Sequence, residues 1–544
     1  MCERCTGERH TANLRPQVDL RSSGGGRTEA QPWRAAPAGG DRARRPPGIP
    51  SSSPIPRGPI GRPGRTSKIR RMRTVGSTVE EWIRRGTYGS VLLSVGAWGS
   101  GALPRGVQDG VWGAPGPALT AVGATVAYAG IGLMLWAWWQ LGTLLRAGAE
   151  MSRRQQWRSL ACWTLPLVPS PLLFSADVWS YIAQGTLALR GWNVYEASPA
   201  DLGGPLAANV PEVWRDSSAP YGPLSVLASQ GVMAVAGENH VVAAAVGHRL
   251  VALAGLALLA WSVQRLAART GVGEGGAWWA APLNPLVLAH VVGGAHNEGL
   301  MIGLMMAGLV AYRSGRWVLG TVVLTGAVLV KAPTGVALAC AAMVAVAARP
   351  GPWRRVGRAL GITAVAGAAL WLIVLLCGQG WGWLRTAGTP AEVHTWLSVS
   401  TNLGIVLEWI AGAADWNAAP GAVTATRTVG TLAGVCAVLF LVWRAPRLGA
   451  ERATALSLLA IVLCSPAVQP WYLLWGGVPL AVVAWRTLAD TRAKAAVVAL
   501  LLMIMPSGRG PTWTYVIAAV LGGLVTWAVL TWTARRSRQP AALT

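Results

Sequence analysis

Asn284-Pro285-Leu-Val-Leu-Ala-His290-Val-Val-Gly293-Gly294-Ala295-His296-Asn297-Glu298-Gly299 lies within and between two apolar runs, 277–293 and 298–312. A helix needs roughly 17 to 25 apolar residues to cross a bilayer, and each run comes close to that length. A proline and paired glycines inside such a run free backbone groups, which is tolerated at membrane depth only against protein or a wet cavity. The His-Asn-Glu triplet between the runs is costly there unless it is used. Further runs follow outward from this stretch, near 88–103, 118–145, 158–174, 241–264, 316–330, 333–348, 357–377, 424–443, 453–466, 471–485, 495–506 and 514–533. The pattern predicts an all-α polytopic membrane protein of about fourteen spans.

Composition agrees with this reading. Of 544 residues, 52% are apolar and only 13% charged, too little charge for a soluble chain of this length. The net charge of +25 is unevenly placed: residues 1–71 hold fifteen Lys or Arg against five Asp or Glu, and most other cations flank apolar runs. That placement sets membrane orientation, so no nucleic-acid partner is expected. Residues 1–75 are rich in Arg, Pro, Gly and Ser, as in Arg42-Ala-Arg44-Arg45-Pro46-Pro47, and read as a disordered basic cytoplasmic tail. Translation from Met72, just before the first apolar run, is the competing expectation. Neither reading contains a cleavable signal peptide.

Arginine placement also orients the chain. Two weaker apolar stretches, 221–237 and 402–411, are read as non-spanning, because counting both as spans would turn the Arg349, Arg354, Arg355 and Arg358 cluster outward. Both termini, including the tail 536–544, are then cytoplasmic, and the membrane domain covers 76–535. The connection 175–240, the 294–297 turn, Lys331, the connection 378–423 and the turn 467–470 all open on the outer side.

Four groups of polar residues collect on that side. Asp177, Tyr181 and Gln184 follow i, i+4, i+7 spacing and share one helical face; a carboxylate here either acts chemically or caps the helix. His296, Asn297 and Glu298 suit hydrogen bonds to hydroxyls or phosphate, the alternative being a polar hairpin. Lys331 is one of three lysines against 44 arginines, so a Lys at a span end suggests a compact cation for phosphate or a snorkelling side chain. Gln469-Pro470-Trp471-Tyr472 gives an aromatic turn that fits either an interfacial belt or a sugar-stacking wall. No His, Cys, Asp and Glu set has zinc or EF-hand spacing, and the seven cysteines form no disulfide framework, so no metal or cofactor is expected.

Several separated motifs recur in an order that resembles the actinobacterial polyprenol-phosphomannose-dependent α-1,6-mannosyltransferases, integral membrane enzymes of the GT-C superfamily. They are Asp177-Val-Trp-Ser-Tyr181 with Gln184-Gly185, Gly191-Trp-Asn193-Val-Tyr195, Ala219-Pro-Tyr221-Gly-Pro-Leu224, Asn284 through Glu298, and Gln469-Pro-Trp471-Tyr472. The resemblance covers roughly 88–535. It implies a GT-C helix bundle in the plasma membrane with an outer-face active site, a polyprenyl-phosphate-mannose donor and a lipid-anchored mannan acceptor of lipomannan and lipoarabinomannan synthesis. It further implies that Asp177 activates the acceptor hydroxyl. Lys331, His296 and Arg427 would hold the phosphate; Tyr221, Trp471 and Tyr472 would line the sugar pocket; Asn297 and Glu298 would read hydroxyls; Tyr181, Gln184, Asn193, Tyr195 and Gln469 would complete the substrate site. A transporter or lipid-linked sugar flippase is the competing class, although the two halves of the chain show no duplication.

Overall fold

The protein is represented by a computed structural model that describes residues 65–104, 112–113, 115–413, 421–508 and 512–536. The basic tail over 1–64, Arg105, Arg509 and the terminal segment 537–544 lie outside the described residues. Every regular element among the described residues is helical. The main helices are α1 (Arg65–Ser100), α2 (Pro117–Arg146), α3 (Arg153–Thr164), α4 (Asp177–Leu189), α5 (Pro223–Ala236), α6 (Val241–Thr270), α7 (Glu274–Ala280), α8 (Glu298–Arg313), α9 (Trp317–Val330), α10 (Gly335–Ala347), α11 (Pro352–Cys377), α12 (Val399–Ala413), α13 (Ala422–Leu448), α14 (Ala450–Cys464), α15 (Leu473–Leu488), α16 (Thr491–Leu502) and α17 (Trp513–Arg536).

Five of these, α2, α6, α11, α13 and α17, are long and apolar enough to cross a membrane. The chain is therefore a multi-pass membrane protein by the length and composition of its helices. Shorter apolar helices include α5, α9, α10 and α12.

Eight of the fourteen expected spans are not continuous helices of roughly 17 residues or more, and in three of them prolines cut the run short. Pro166, Pro169 and Pro171 end the 158–174 run after the twelve residues of α3 and one 3-10 turn. Asn284-Pro285 divides the 277–293 run into the seven-residue α7 and a wide π turn, Val287–Gly293. In the 495–506 run, α16 stops at Leu502, ahead of Pro506. The connection 175–240 is not an open loop: α4 and α5 lie in it, and all residues from Val178 to Ala188 are buried. α5 has fourteen residues, about 21 Å of helix, short of a bilayer core of roughly 30 Å. At the other end of the chain, α1 begins at Arg65, so 65–75 is helical where an irregular tail was expected. Past Pro63 and Gly64 the sequence holds no proline until Pro104, and Arg, Lys and Met are good helix formers.

Two close approaches place the helices that carry the site. A Cβ on Gly255 of α6 would fall 2.3 Å from the carbonyl carbon of Gly299, so the middle of α6 and the start of α8 touch backbone to backbone. α8 and α9 form a hairpin through Ser314-Gly315-Arg316, with Gly315 at φ +77°. With sixteen and fourteen residues, the two arms nearly match, so the end of α9 returns to the level of the start of α8. Glu298 opens α8 and Lys331 follows α9. The backbone ends favour a carboxylate at the first place and a cation at the second.

Candidate active site

Two irregular segments lead into the site, 168–176 before α4 and 281–297 before α8. Phe174 (φ +62°) and Ala295 (φ +50°), one in each segment, are the only non-glycine residues with positive φ among the described residues. Such conformations cost about 1 to 3 kcal/mol each and persist only where surrounding contacts impose them. Those contacts are present. The amide of Leu173 donates to the Gly293 carbonyl at 3.0 Å, and that of Phe174 donates to Pro506 at 2.8 Å.

Arg249, fully buried on α6, joins the two segments. Its Nε donates to Val292 (3.0 Å), Nη1 to Val168 (2.7 Å) and Ser170 (2.5 Å), and Nη2 to Pro171 (3.3 Å) and Gly293 (2.9 Å). Five carbonyls thus take up all the donors a guanidinium has. They also satisfy backbone that the prolines left without helical partners.

Beside this clasp lies the charged cluster. Lys331 Nζ donates to Glu298 Oε1 at 2.5 Å, with the two side chains 12% and 1% exposed. His296 Nδ1 is 3.3 Å from Glu298 Oε2 but off the line of a hydrogen bond, and 3.9 Å from Asp177 Oδ2. Asp177 is the open member, with a side chain 19% exposed. It sits in the first turn of α4 behind Ala176, which occupies the cap position.

Aromatic rings enclose the cluster. Trp471 lies edge-on to His296 (4.6 Å between centroids) and close to His290 (5.0 Å). Tyr472 and Trp475 stack at 4.2 Å, and the Lys331 ammonium lies 5.0 Å from the first ring, 5.3 Å from the second and 5.6 Å from that of Tyr221. Tyr221 is held in place by Gly222, whose amide donates to the Val330 carbonyl at 3.2 Å and whose added Cβ would meet the Leu329 carbonyl oxygen at 2.2 Å. Burial, then the charges of Asp177 and Glu298, push the Tyr221 phenol well above its ordinary range, so it is a neutral donor in this wall.

The structure thus brings together Asp177, Tyr221, His296, Glu298, Lys331, Trp471 and Tyr472. Tyr181 joins through its ring, 5.2 Å from that of Tyr221. Asn297 is adjacent, donating to Ser225 Oγ at 3.1 Å while its own Oδ1 is buried without a partner. Gln184 is buried further along α4, and the Gln469 carbonyl receives the Tyr472 amide at 3.0 Å. Other candidates lie in different surroundings. Asn193 accepts from the Tyr195 amide at 3.1 Å, and Tyr195 packs with Leu187, Val194, Ala219 and Trp383 in a separate cluster. Arg427 on α13 donates to Thr401 Oγ1 at 2.9 Å and to the Val393 carbonyl at 3.5 Å. Lys331, expected as a compact cation for phosphate or a snorkelling side chain, has a carboxylate partner in Glu298.

Sequence reading passed over Arg249, although an arginine inside the apolar 241–264 run was the available signal. Trp475, His290 and His248 were also left out of the site. The first borders Lys331, the second faces Trp471, and the third lies 5.7 Å from the Tyr181 ring.

The cluster is a carboxylate open to an incoming group, beside an enclosed cation and aromatic faces. It can take a proton from a hydroxyl, neutralise an anionic leaving group and stack a pyranose ring. Comparison with known proteins agrees with that chemistry. Residues 83–347 match the family described as "Alpha-(1->6)-mannopyranosyltransferase, N-terminal domain", and 400–532 match "MptB C-terminal domain". A probable alpha-(1->6)-mannopyranosyltransferase of Mycolicibacterium smegmatis is 36% identical over 82% of this chain and 86% of its own length. Alpha-(1->6)-mannopyranosyltransferase A of Mycobacterium tuberculosis is 33% identical over 82% and 89%, and alpha-(1->6)-mannopyranosyltransferase B of Corynebacterium glutamicum is 29% identical over 84% and 82%. No solved structure matches the chain. The chain belongs to the alpha-(1->6)-mannopyranosyltransferase family. It is a membrane glycosyltransferase, an alpha-(1->6)-mannosyltransferase, and not the transporter or flippase weighed from sequence.

Proposed function

We propose that the protein transfers mannose from polyprenyl-phosphate-mannose to the 6-hydroxyl of a lipid-anchored α-1,6-mannan, extending it on the outer face of the plasma membrane by one inverting displacement. The observation that carries the mechanism is the unequal state of the two carboxylates. Glu298 is buried in its bond to Lys331, whereas the Asp177 side chain is 19% exposed and has no cation paired to it as closely. A β-linked donor that yields an α-linkage needs one general base and no carboxylate nucleophile. Asp177 takes the proton of the acceptor hydroxyl as that oxygen attacks the anomeric carbon, and the bond to the phosphate oxygen breaks.

The leaving phosphate then meets Lys331. An ammonium has three donors and Glu298 occupies one, so the cation can serve its carboxylate and a phosphate oxygen together. The His296 ring lies near both carboxylates without a hydrogen bond to either, and Trp471, Tyr472 and Tyr221 supply ring faces for the sugar. The outward placement rests on the arginine bias toward the opposite ends of the helices.

The test uses purified full-length protein with polyprenyl-phosphate-mannose and a short α-1,6-mannoside. Product carrying a new α-1,6-linked mannose is expected, with GDP-mannose inert as a direct donor. Transfer from GDP-mannose alone would overturn the donor assignment. For orientation, a cysteine at Gly388 is expected to react with an impermeant reagent from outside intact cells, and one at Arg355 only after lysis.

A further inference from the structure

We propose that the end of the α8–α9 hairpin remote from Asp177 carries a binding site for the phosphate headgroup of an anionic phospholipid. Sixteen residues of α8, about 24 Å, separate Glu298 from Arg313. At the Arg313 end a cavity of about 410 Å³ opens among the end of α8, the start of α9, the end of α10, the start of α11 and the α13–α14 junction.

Its charged groups are three arginines and one carboxylate, and the Tyr312 hydroxyl, the other polar side chain of the lining, is taken up by Thr321 at 2.7 Å. Glu451 forms the floor, 3% exposed, with both oxygens 3.4 Å from Arg313 Nη1. Arg313 is therefore committed to Glu451. Arg349 and Arg358 have no carboxylate within ion-pair distance among the described residues; the Arg358 guanidinium lies 4.3 Å over the Trp317 ring. Three positive charges less one negative leave the cavity with a net charge of +2.

The rest of the wall is apolar: Leu309, Val344, Ala345 and the Trp317 ring. The adjacent outer face of α11 is apolar too, with Trp353 85%, Leu360 65% and Leu375 59% exposed on a helix that is long enough to span. Two cations without carboxylate partners beside an apolar wall, at the rim of a lipid-facing helix, match a phosphodiester whose acyl chains continue along that helix. Free phosphate would use the arginines and leave the wall uncovered.

The site is independent of the catalytic reading, and it is tested by binding. Full-length protein in detergent micelles is titrated with phosphatidylglycerol and with phosphatidylcholine, and bound lipid is counted by native mass spectrometry. A preference for phosphatidylglycerol is expected. It should fall about fivefold for Arg349→Gln or Arg358→Gln and about thirtyfold for the double variant. The Arg349→Lys/Arg358→Lys double variant, which keeps both charges, should stay within about fivefold of wild type. Arg154→Gln, on α3, should have no effect. Undiminished phosphatidylglycerol binding by the double glutamine variant would overturn the proposal. Should that variant not fold, loss of binding in the lysine variant equal to that expected of the glutamine pair would overturn it. So would displacement of the lipid by soluble glycerol phosphate at matching concentration, which would make this a free-phosphate site.

Discussion

The two ends of the α8–α9 hairpin each hold a buried glutamate paired with a cation, yet they are built for different work. At one end Lys331 is enclosed with Glu298, the bond is 2.5 Å, and aromatic rings and histidines fill the surroundings. At the other, Arg313 is 39% exposed, its contact with Glu451 is 3.4 Å, and the pair borders an open cavity. Coulombic attraction grows as water leaves, and so does the cost of stranding one partner. The enclosed end therefore stores a charge that is expensive to disturb and effective on a reacting group. The open end keeps exchangeable charge at a lipid boundary.

The largest expected effect separates the enclosed end from everything else. Asp177→Asn keeps shape but cannot take a proton, so transfer should fall roughly a hundred- to ten-thousand-fold while donor binding persists. Near wild-type turnover by this variant would shift the base to another group, with Glu298 tested next.

Breaking the pair itself should come second. Lys331→Met strands Glu298 and should lower stability by about 3 to 5 kcal/mol, read as a fall in melting temperature of the solubilised protein. Lys331→Met with Glu298→Gln should regain most of that stability and none of the transfer, because neutral partners relieve the stranded charge but leave no cation for phosphate. Lys331→Arg should recover activity only in part, since a planar fork directs its donors differently. Recovered transfer in the double neutral variant would reduce the pair to a structural role.

Arg249 offers a third way to sharpen the contrast. Arg249→Lys retains charge but has three donors for five carbonyls. It should loosen the segments bearing Asp177 and His296, lowering kcat more than it raises KM for the donor. Equal changes in both would mean that the clasp supports binding alone.

The smallest effect belongs to the open end. Arg313→Ala with Glu451→Gln, which leaves no buried charge unpaired, should change stability by no more than about 1 kcal/mol relative to wild type, because solvent already screens the exposed arginine. A loss as large as that of Lys331→Met would erase the distinction between the two ends.

Much of the site was legible because ionisable residues inside apolar sequence are rare enough to count. Asp177, the His296-Asn297-Glu298 triplet and Lys331 each stood out singly, and the structure brings them together. What did not show was that Lys331 meets Glu298, 33 residues earlier in the chain. Asn193 and Tyr195 read as part of the same motif as Asp177, but the turn after α4 carries them to another cluster. Nor did the sequence show that Arg427, named for the phosphate, bonds to Thr401, 26 residues away. Helix continuity was overestimated where hydropathy was averaged across prolines, as at Pro166 to Pro171 and at Pro285.

The sequence by itself determined that this chain is helical and multi-pass, and it named most residues of the cluster. Apolar run length and the cost of intramembrane charge act locally, so both can be read along the chain. Only the tertiary structure decided which charges neutralise each other and which carboxylate stays open. Those outcomes depend on the backbone contact at Gly255 and Gly299, on the matched arms of the hairpin and on the five carbonyls gathered by Arg249. Each is a distance between segments far apart in the chain, and charge pairing at low dielectric changes sharply with such distances.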